Sequence, residues 1–409
     1  MRRVVVLAPE PIRPRMAGMG IRALELARAL SSEFDVRLLV PNSRAEALEV
    51  AGEIAVTPVA GAGLSTAAAG ADAAIVSGHA GSAWFREAPA VPVAADLYDP
   101  FPIENLHYAA ALGPEPARSD RAALALALAR ADFFLCASPE QRLFYAGALY
   151  TAGRIDGDNF SSDPSLSQLL GIVPFGVPAE PAAGDRARGR ALAGVPPEGP
   201  LLLFGGIYDW YEPDLLLESW PLVRAGAPQA RLLFFENPNP ESTPQRAYAR
   251  ARARARDLDP AGESIVFSAW LPYGARADLY AASDLLVSIS AGGLESDLAF
   301  RTRLLDAAWG GVPCVAVGGG TLARELEEAG VARRVERDAR ALSRAILAML
   351  GSGDRPREAA RRFAAERTWP RVAEPLVAWC RRGEIDPGRQ PFPAAAAARA
   401  PLWRRLWSR

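Results

Sequence analysis

The residues best suited to chemistry lie in one stretch, Ser290–Val317, which reads SAGGLESDLAFRTRLLDAAWGGVPCVAV. It holds Glu295 and Asp297, then Arg301, Thr302, Arg303 and Asp306. The pattern predicts a strand ending near Ile289, a Gly-rich loop, and a helix from about Asp297 to Trp309. Gly310-Gly311-Val312-Pro313 stops that helix before the next strand. A helix N-terminus receives phosphate through its free N–H groups and its dipole. Asp306 follows Arg303 by three residues and Thr302 by four, so the three share one helical face. A carboxylate placed there can accept both hydroxyls of a ribose, and a forked guanidinium nearer the helix start suits a diphosphate. The same spacing also fits a plain ion pair between Arg303 and Asp306.

Composition removes several other chemistries. There is no Lys, and all 46 basic residues are Arg. Schiff-base catalysis, Walker-type phosphate loops and protein-kinase mechanisms all need an amine. Two histidines, His79 and His107, leave little material for a zinc site or a Ser-His-Asp triad, and both read as ordinary loop or helix residues. A net charge of −1 argues against broad nucleic-acid binding. The Arg/Ala run Ala249–Arg256 reads as a solvated helix face, with RNA binding as the alternative. Cys136, Cys314 and Cys380 are far apart and odd in number, which suits buried free thiols in a reducing compartment. The apolar run Val4–Ala8 is stopped by Pro9, too early for a signal peptide, and no apolar stretch reaches the roughly 18 residues of a membrane span. The expected location is the cytoplasm, with peripheral attachment to the inner membrane face left open.

The elements that must position these residues alternate. Arg3–Ala8, Phe34–Val40, Ala73–Ser77, Val91–Leu97 and Asp132–Ala137 read as strands, with helices at Ile21–Leu30, Arg121–Arg130 and Pro139–Ala152. Val173–Ala183 carries four prolines and no periodicity, as a linker would. Strands then resume at Leu201–Phe204, Arg231–Phe235, Ser264–Phe267, Leu285–Ile289 and Val312–Val317. This alternation predicts an α/β protein of two Rossmann-like domains with mostly parallel sheets. Such sheets bind ligands beyond the carboxyl ends of their strands. The two rims are expected to face each other across a cleft.

The segment SxxxxE…RxRLLDAAWGGVPCV resembles the donor-site segment of the retaining family 4 glycosyltransferases of the GT-B fold. GLESDLAFRTRLLD is similar to a bacterial subgroup within it. MAGMGIRALELARAL, ADLYDPFPIENL, ADFFLCASPEQRLF, VPFGVP and FGGIYDWYEP match that subgroup in the same order, so the resemblance runs from about residue 3 to about residue 382. It implies an N-terminal acceptor domain over 1–172, a linker over 173–183 and a donor domain over 184–368. A crossover helix over 369–384 and a Pro/Ala-rich tail over 385–409 follow.

The resemblance also implies roles. Asp306 would hold the donor ribose and Glu295 the transferred sugar. Gly205 and Gly206, with Gly18 and Gly20 in the other domain, would admit the diphosphate. Beyond what the resemblance implies, Asp96 is expected to contact the transferred sugar or acceptor hydroxyl, or else to cap the following turn, and Arg22 and Asp99 to meet the acceptor. Most of the family carries an Arg and a Lys in the loop after the first strand of the donor domain. Here that loop, Gly205–Trp210, has no basic residue. Arg303, with Arg301 and Thr302 beside it, is the expected replacement. The usual acidic pair is closer together than Glu295 and Asp306, eleven apart here, so either the loop is longer or Asp297 shares the role. The family's common N-terminal-domain His has no obvious counterpart, and Asp96 stands at the end of a strand there instead.

The expected function is retaining transfer of a hexose from a nucleoside-diphosphate sugar to a hydroxyl on a surface polysaccharide or glycolipid. No metal and no cofactor are expected. Two alternatives stay open: a nucleotide-sugar 2-epimerase of the same fold, and a non-catalytic nucleotide-sugar-binding partner subunit. Leu402, Trp403, Leu406 and Trp407 form an apolar stripe beside Arg404, Arg405 and Arg409, which suits an anionic membrane surface or a disordered tail equally.

Overall fold

A computed structural model describes residues 1–61, 63–88, 90–240 and 243–390. The basic-aromatic stripe of the tail, 402–409, lies outside the described residues. The chain divides into two compact units: Met1–Pro174 together with the chain from Val372, and Phe175–Arg371.

In the first unit, β1 (Arg3–Leu7), β2 (Asp35–Val40), β3 (Ala55–Pro58), β4 (Ala73–Ser77), β5 (Val93–Asp96), β6 (Phe133–Cys136) and β7 (Leu170–Ile172) form one sheet. Their order is β3-β2-β1-β4-β5-β6-β7, and every pair is parallel. Val4, Val5 and Val6 are buried in succession, as a strand covered on both faces requires. Beyond the second unit, the helix Glu374–Arg382 belongs to this unit and stacks Trp379 on Phe133 at 5.8 Å. The chain stays tied down to Gln390. Asp386 pairs with the buried Arg154, and Arg389 pairs with the buried Asp132.

In the second unit, β8 (Leu201–Gly206), β9 (Arg231–Phe235), β10 (Ile265–Ser268), β11 (Leu285–Ile289), β12 (Cys314–Val317) and β13 (Ala332–Arg334) form a parallel sheet of order β10-β9-β8-β11-β12-β13. Its core is built from alternate strand residues such as Leu202, Phe204, Phe234 and Val287, packed against the helices Pro213–Gly226 and Ala339–Leu350. All three cysteines are free and buried, and burial pushes their thiols up to about 12. Among the described residues, no helix is long and apolar enough to cross a membrane.

Two features differ from the sequence reading. The strands β3, β7 and β13 were not legible. All three lie at sheet edges, where short, charged or Pro-bearing strands are favoured over apolar runs. The single helix expected over 297–309 is two helices, Leu294–Leu298 and Thr302–Trp309. Between them Ala299 is extended, with ψ 133°. That step turns Arg301 back toward Glu295, a tertiary contact that helical periodicity does not register.

Candidate active site

In the second sheet the strand order reverses between β8 and β11. β8 continues to β9 on one side, and β11 continues to β12 on the other. An open parallel sheet leaves a crevice beyond the strand ends at such a point. The two segments singled out from the sequence meet there. Gly205-Gly206 ends β8, and Ser290 follows β11. A register shift between Leu203 and Gly205 bends β8 just before its end, and Gly205 takes φ +86°, a left-handed value that suits glycine.

Two guanidinium groups converge on this crevice. Arg303, in the first turn of Thr302–Trp309, donates from Nη1 to the Phe204 carbonyl at 2.7 Å and from Nη2 to the Gly206 carbonyl at 2.8 Å. Arg301 donates from Nε to Ser290 Oγ at 3.2 Å and from Nη2 to Glu295 Oε2 at 2.6 Å. Both lie over the ring of Tyr211, at 3.8 Å for Arg303 and 4.8 Å for Arg301. The electron-rich face of a buried tyrosine attracts cations and holds them in place. The loop after β8 therefore has no cation of its own, but its aromatic residue gathers two from the segment after β11.

Glu295 is 3% exposed, and so is its partner Arg301. While Glu295 Oε2 is paired, its Oε1 is buried with no hydrogen-bond partner. A buried carboxylate oxygen left bare is costly, and a ligand hydroxyl would relieve it. Asp297 is exposed, so the two acids of the short helix Leu294–Leu298 have different surroundings. Thr302 and Asp306 are half-buried on Thr302–Trp309. Burial pushes the Tyr280 hydroxyl well up, and the charge of Asp306 nearby adds to the shift. Arg337, from the loop after β13, donates to the Ser290 carbonyl at 2.6 Å and pairs with Glu212. Neither Tyr211 nor Arg337 was legible as part of the site, because each acts across a distance in sequence.

The first unit brings together a different set. Arg22 and Asp96 form a bidentate pair at 2.6 and 3.0 Å, with side chains 1% and 6% exposed. Arg22 also donates to the carbonyls of Val173 and Pro174 and lies 4.4 Å from the Tyr98 ring centre. Asp96 Oδ1 additionally accepts from the Tyr98 N–H. Arg22 and Asp96 thus tie the helix Gly18–Ser31, the end of β5 and the end of β7 together. Gly18 and Gly20 occupy the first turn of that helix, and Glu10 Oε1 already accepts from the Gly20 N–H at 2.5 Å. A carboxylate of the chain itself therefore stands at this helix N-terminus. Asp99 is half-buried on the loop after β5. His79, unremarkable in the sequence, places Nε2 at 2.7 Å from Oδ1 of the buried Asp120, whose Oδ2 accepts from Asn105 at 2.9 Å. No local spacing could have revealed that group.

No family model matches this sequence, and no curated protein does. Solved structures do. HepE from Anabaena, in complex with UDP and glucose, has a TM-score of 0.67 at 17% identity over 93% of this chain and 100% of its own. Sucrose-phosphate synthase from Thermosynechococcus elongatus gives 0.62 at 17% identity over 93% and 99%. WaaG, a glycosyltransferase involved in lipopolysaccharide biosynthesis, gives 0.57 at 14% identity over 92% and 98%. The two parallel sheets and these likenesses together establish that the chain has the α/β fold of GT-B glycosyltransferases.

Proposed function

We propose that this protein is a glycosyltransferase that uses a nucleoside-diphosphate sugar, and that the second unit holds the donor. The observation that carries the proposal is the gathering of Arg303, seated on the Phe204 and Gly206 carbonyls, and Arg301, paired with a buried Glu295 that keeps one bare oxygen, over the face of Tyr211. Transfer from such a donor needs charge stabilisation on a leaving diphosphate more than a strong base. Arg303, seconded by Arg301 and by the start of Thr302–Trp309, supplies it, so the reaction calls for no metal. Asp306, one turn further along the helix, accepts the ribose diol. Glu295 Oε1 accepts from a hydroxyl of the transferred hexose.

The acceptor is a hydroxyl of a polysaccharide or glycolipid, received by the first unit near Asp99. In this reading Asp96 acts through Arg22 and is a positioning residue. An acceptor C–O bond forms as the bond from the anomeric carbon to the diphosphate breaks, and the hydroxyl proton leaves with the diphosphate. Retention of configuration rests on the family resemblance, and peripheral work at the inner membrane face on the basic-aromatic stripe of the C-terminal tail. That HepE was solved with UDP and glucose agrees with the donor class.

The test is titration calorimetry with nucleoside diphosphates. Asp306→Asn should weaken binding by about 1–3 kcal/mol, the range for a charge-assisted hydrogen bond, while the fold survives. Unchanged affinity in the variant would remove Asp306 from the site.

A further inference from the structure

A cavity of about 430 Å³ lies in the first unit, away from the groups described above. Asp132 and Leu169 line it, and they directly precede β6 and β7. In a parallel sheet this places the cavity at the amino ends of the strands. Asp96 and Asp99 stand at the opposite, carboxyl ends. The wall is mixed. Leu169, Trp379 and the 52% exposed Ile385 make it apolar on one side.

Six carboxylates share the lining. Two are neutralised within the fold, Asp132 by Arg389 and Asp386 by Arg154. The other four, Asp156, Asp158, Asp163 and Glu384, form no ion pair among the described residues. Asp156 accepts from the Asp158 and Asn159 N–H groups, and Asp163 from the Ser167 hydroxyl and the Gln168 N–H, so both are held in place. Against these four stands one lining cation, Arg382. An apolar recess ringed by excess negative charge attracts a partner that is both basic and apolar.

The chain itself carries such a partner. Gly388 is the last residue to line the cavity. Two residues later Gln390 is fixed, its N–H on the Ala129 carbonyl at 2.9 Å and its Nε2 on the Ala152 carbonyl at 2.8 Å. Residues 391–409, outside the described residues, therefore begin beside the cavity. Their sequence has Arg399, Arg404, Arg405 and Arg409, no acid, and the stripe Leu402, Trp403, Leu406 and Trp407. Leu402 stands twelve residues after Gln390, and at up to about 3.5 Å per residue that length suffices to turn back.

We propose that the cavity is the docking site of the chain's own segment 399–409, with an indole in the apolar recess and the arginines against Asp156, Asp158, Asp163 and Glu384. Covalent attachment supplies an effective concentration on the order of millimolar, so a weak contact is enough to hold it. While docked, the stripe is withheld from a membrane surface.

Trypsin tests this on the full chain. The sequence has no Lys, so every cut follows an Arg. Cutting after Arg404 and Arg405, followed by mass spectrometry, is compared with cutting of a free peptide of residues 391–409. At low salt the full chain should be cut about tenfold more slowly than the peptide, because cutting tracks the undocked fraction. In about 1 M salt, where charges are screened beyond about 3 Å, the two rates should converge. Asp158→Asn/Glu384→Gln should lose most of the protection at low salt while keeping the wild-type thermal transition, and each single substitution should lose part of it. Equal rates for full chain and peptide at low salt, or undiminished protection in the substituted chains, overturn the proposal. Protection that fades on dilution of the protein would put another copy's segment in the cavity and overturn it as well.

Discussion

The buried pair Arg22–Asp96 shows how a residue's type can point to chemistry while its surroundings point to architecture. An Asp at the carboxyl end of a parallel strand is a natural candidate for contact with a substrate. Its partner is 74 positions away, and that distance hid the pair from any local pattern. Once Arg22 is known to be 1% exposed and Asp96 6%, the consequences for stability follow. Asp96→Asn should destabilise the chain by about 3–5 kcal/mol, because it leaves a guanidinium buried without its counter-charge. Denaturant unfolding measures this, and a midpoint within error of wild type would show that Arg22 is not held by Asp96. Glu295 is the opposite case. The family resemblance points to it as a contact for the transferred sugar, and the structure adds one bare, buried oxygen that suits this proposal. Tyr211 was not legible, since an aromatic residue in a loop gives no sign of which cations will lie on its face.

At the scale of elements, the strand ends matter more than the strands. The bulge before Gly205 and the break at Ala299 are each a local irregularity, and between them they let Arg303 reach the end of β8. A continuous helix over 297–309 would have kept Arg301 on a helical surface, away from its buried pair with Glu295. Periodicity located the helical residues but not the break, because the break is held by a tertiary ion pair. The geometry makes a specific claim about charge. Arg303→Ala should weaken a nucleoside diphosphate by about 1.5–3 kcal/mol, and should weaken the free nucleoside much less. Arg303→Lys, which keeps the charge but loses the planar fork, should fall between. Parallel calorimetric titrations decide the matter. Equal losses for nucleoside and diphosphate would mean that Arg303 serves only to hold the 204–206 turn and Asp306 in place.

At the scale of the whole molecule, two units repeat one topology. The second sheet's order, β10-β9-β8-β11-β12-β13, repeats the order of the first six strands of the first sheet. The alternation of apolar runs and helical segments made the fold class legible, because strands buried on both faces read as continuous apolar runs. The edge strands β3, β7 and β13 were lost for the same reason in reverse, whereas the edge strand β10, with its apolar run Ile265–Phe267, was found. The sequence points to the second unit as the nucleotide holder through the spacing of Arg303 and Asp306 in Ser290–Val317. The contacts agree with that proposal: at the Gly20 N–H a carboxylate of the chain is already seated, whereas Arg303 sits on the Gly206 carbonyl and the nearby Glu295 keeps a bare acceptor. The central claim is that the second unit binds the sugar as well as the nucleotide. Its most direct test compares nucleoside diphosphates with the matching nucleoside-diphosphate hexoses, on wild type and on Glu295→Gln, by titration calorimetry. Wild type should bind at least one nucleotide sugar at one site per chain. Glu295→Gln should weaken that sugar nucleotide by about 1–3 kcal/mol and leave the plain diphosphate nearly unchanged. Equal effects on both ligands, or no nucleotide sugar bound by the folded wild type, would contradict the account.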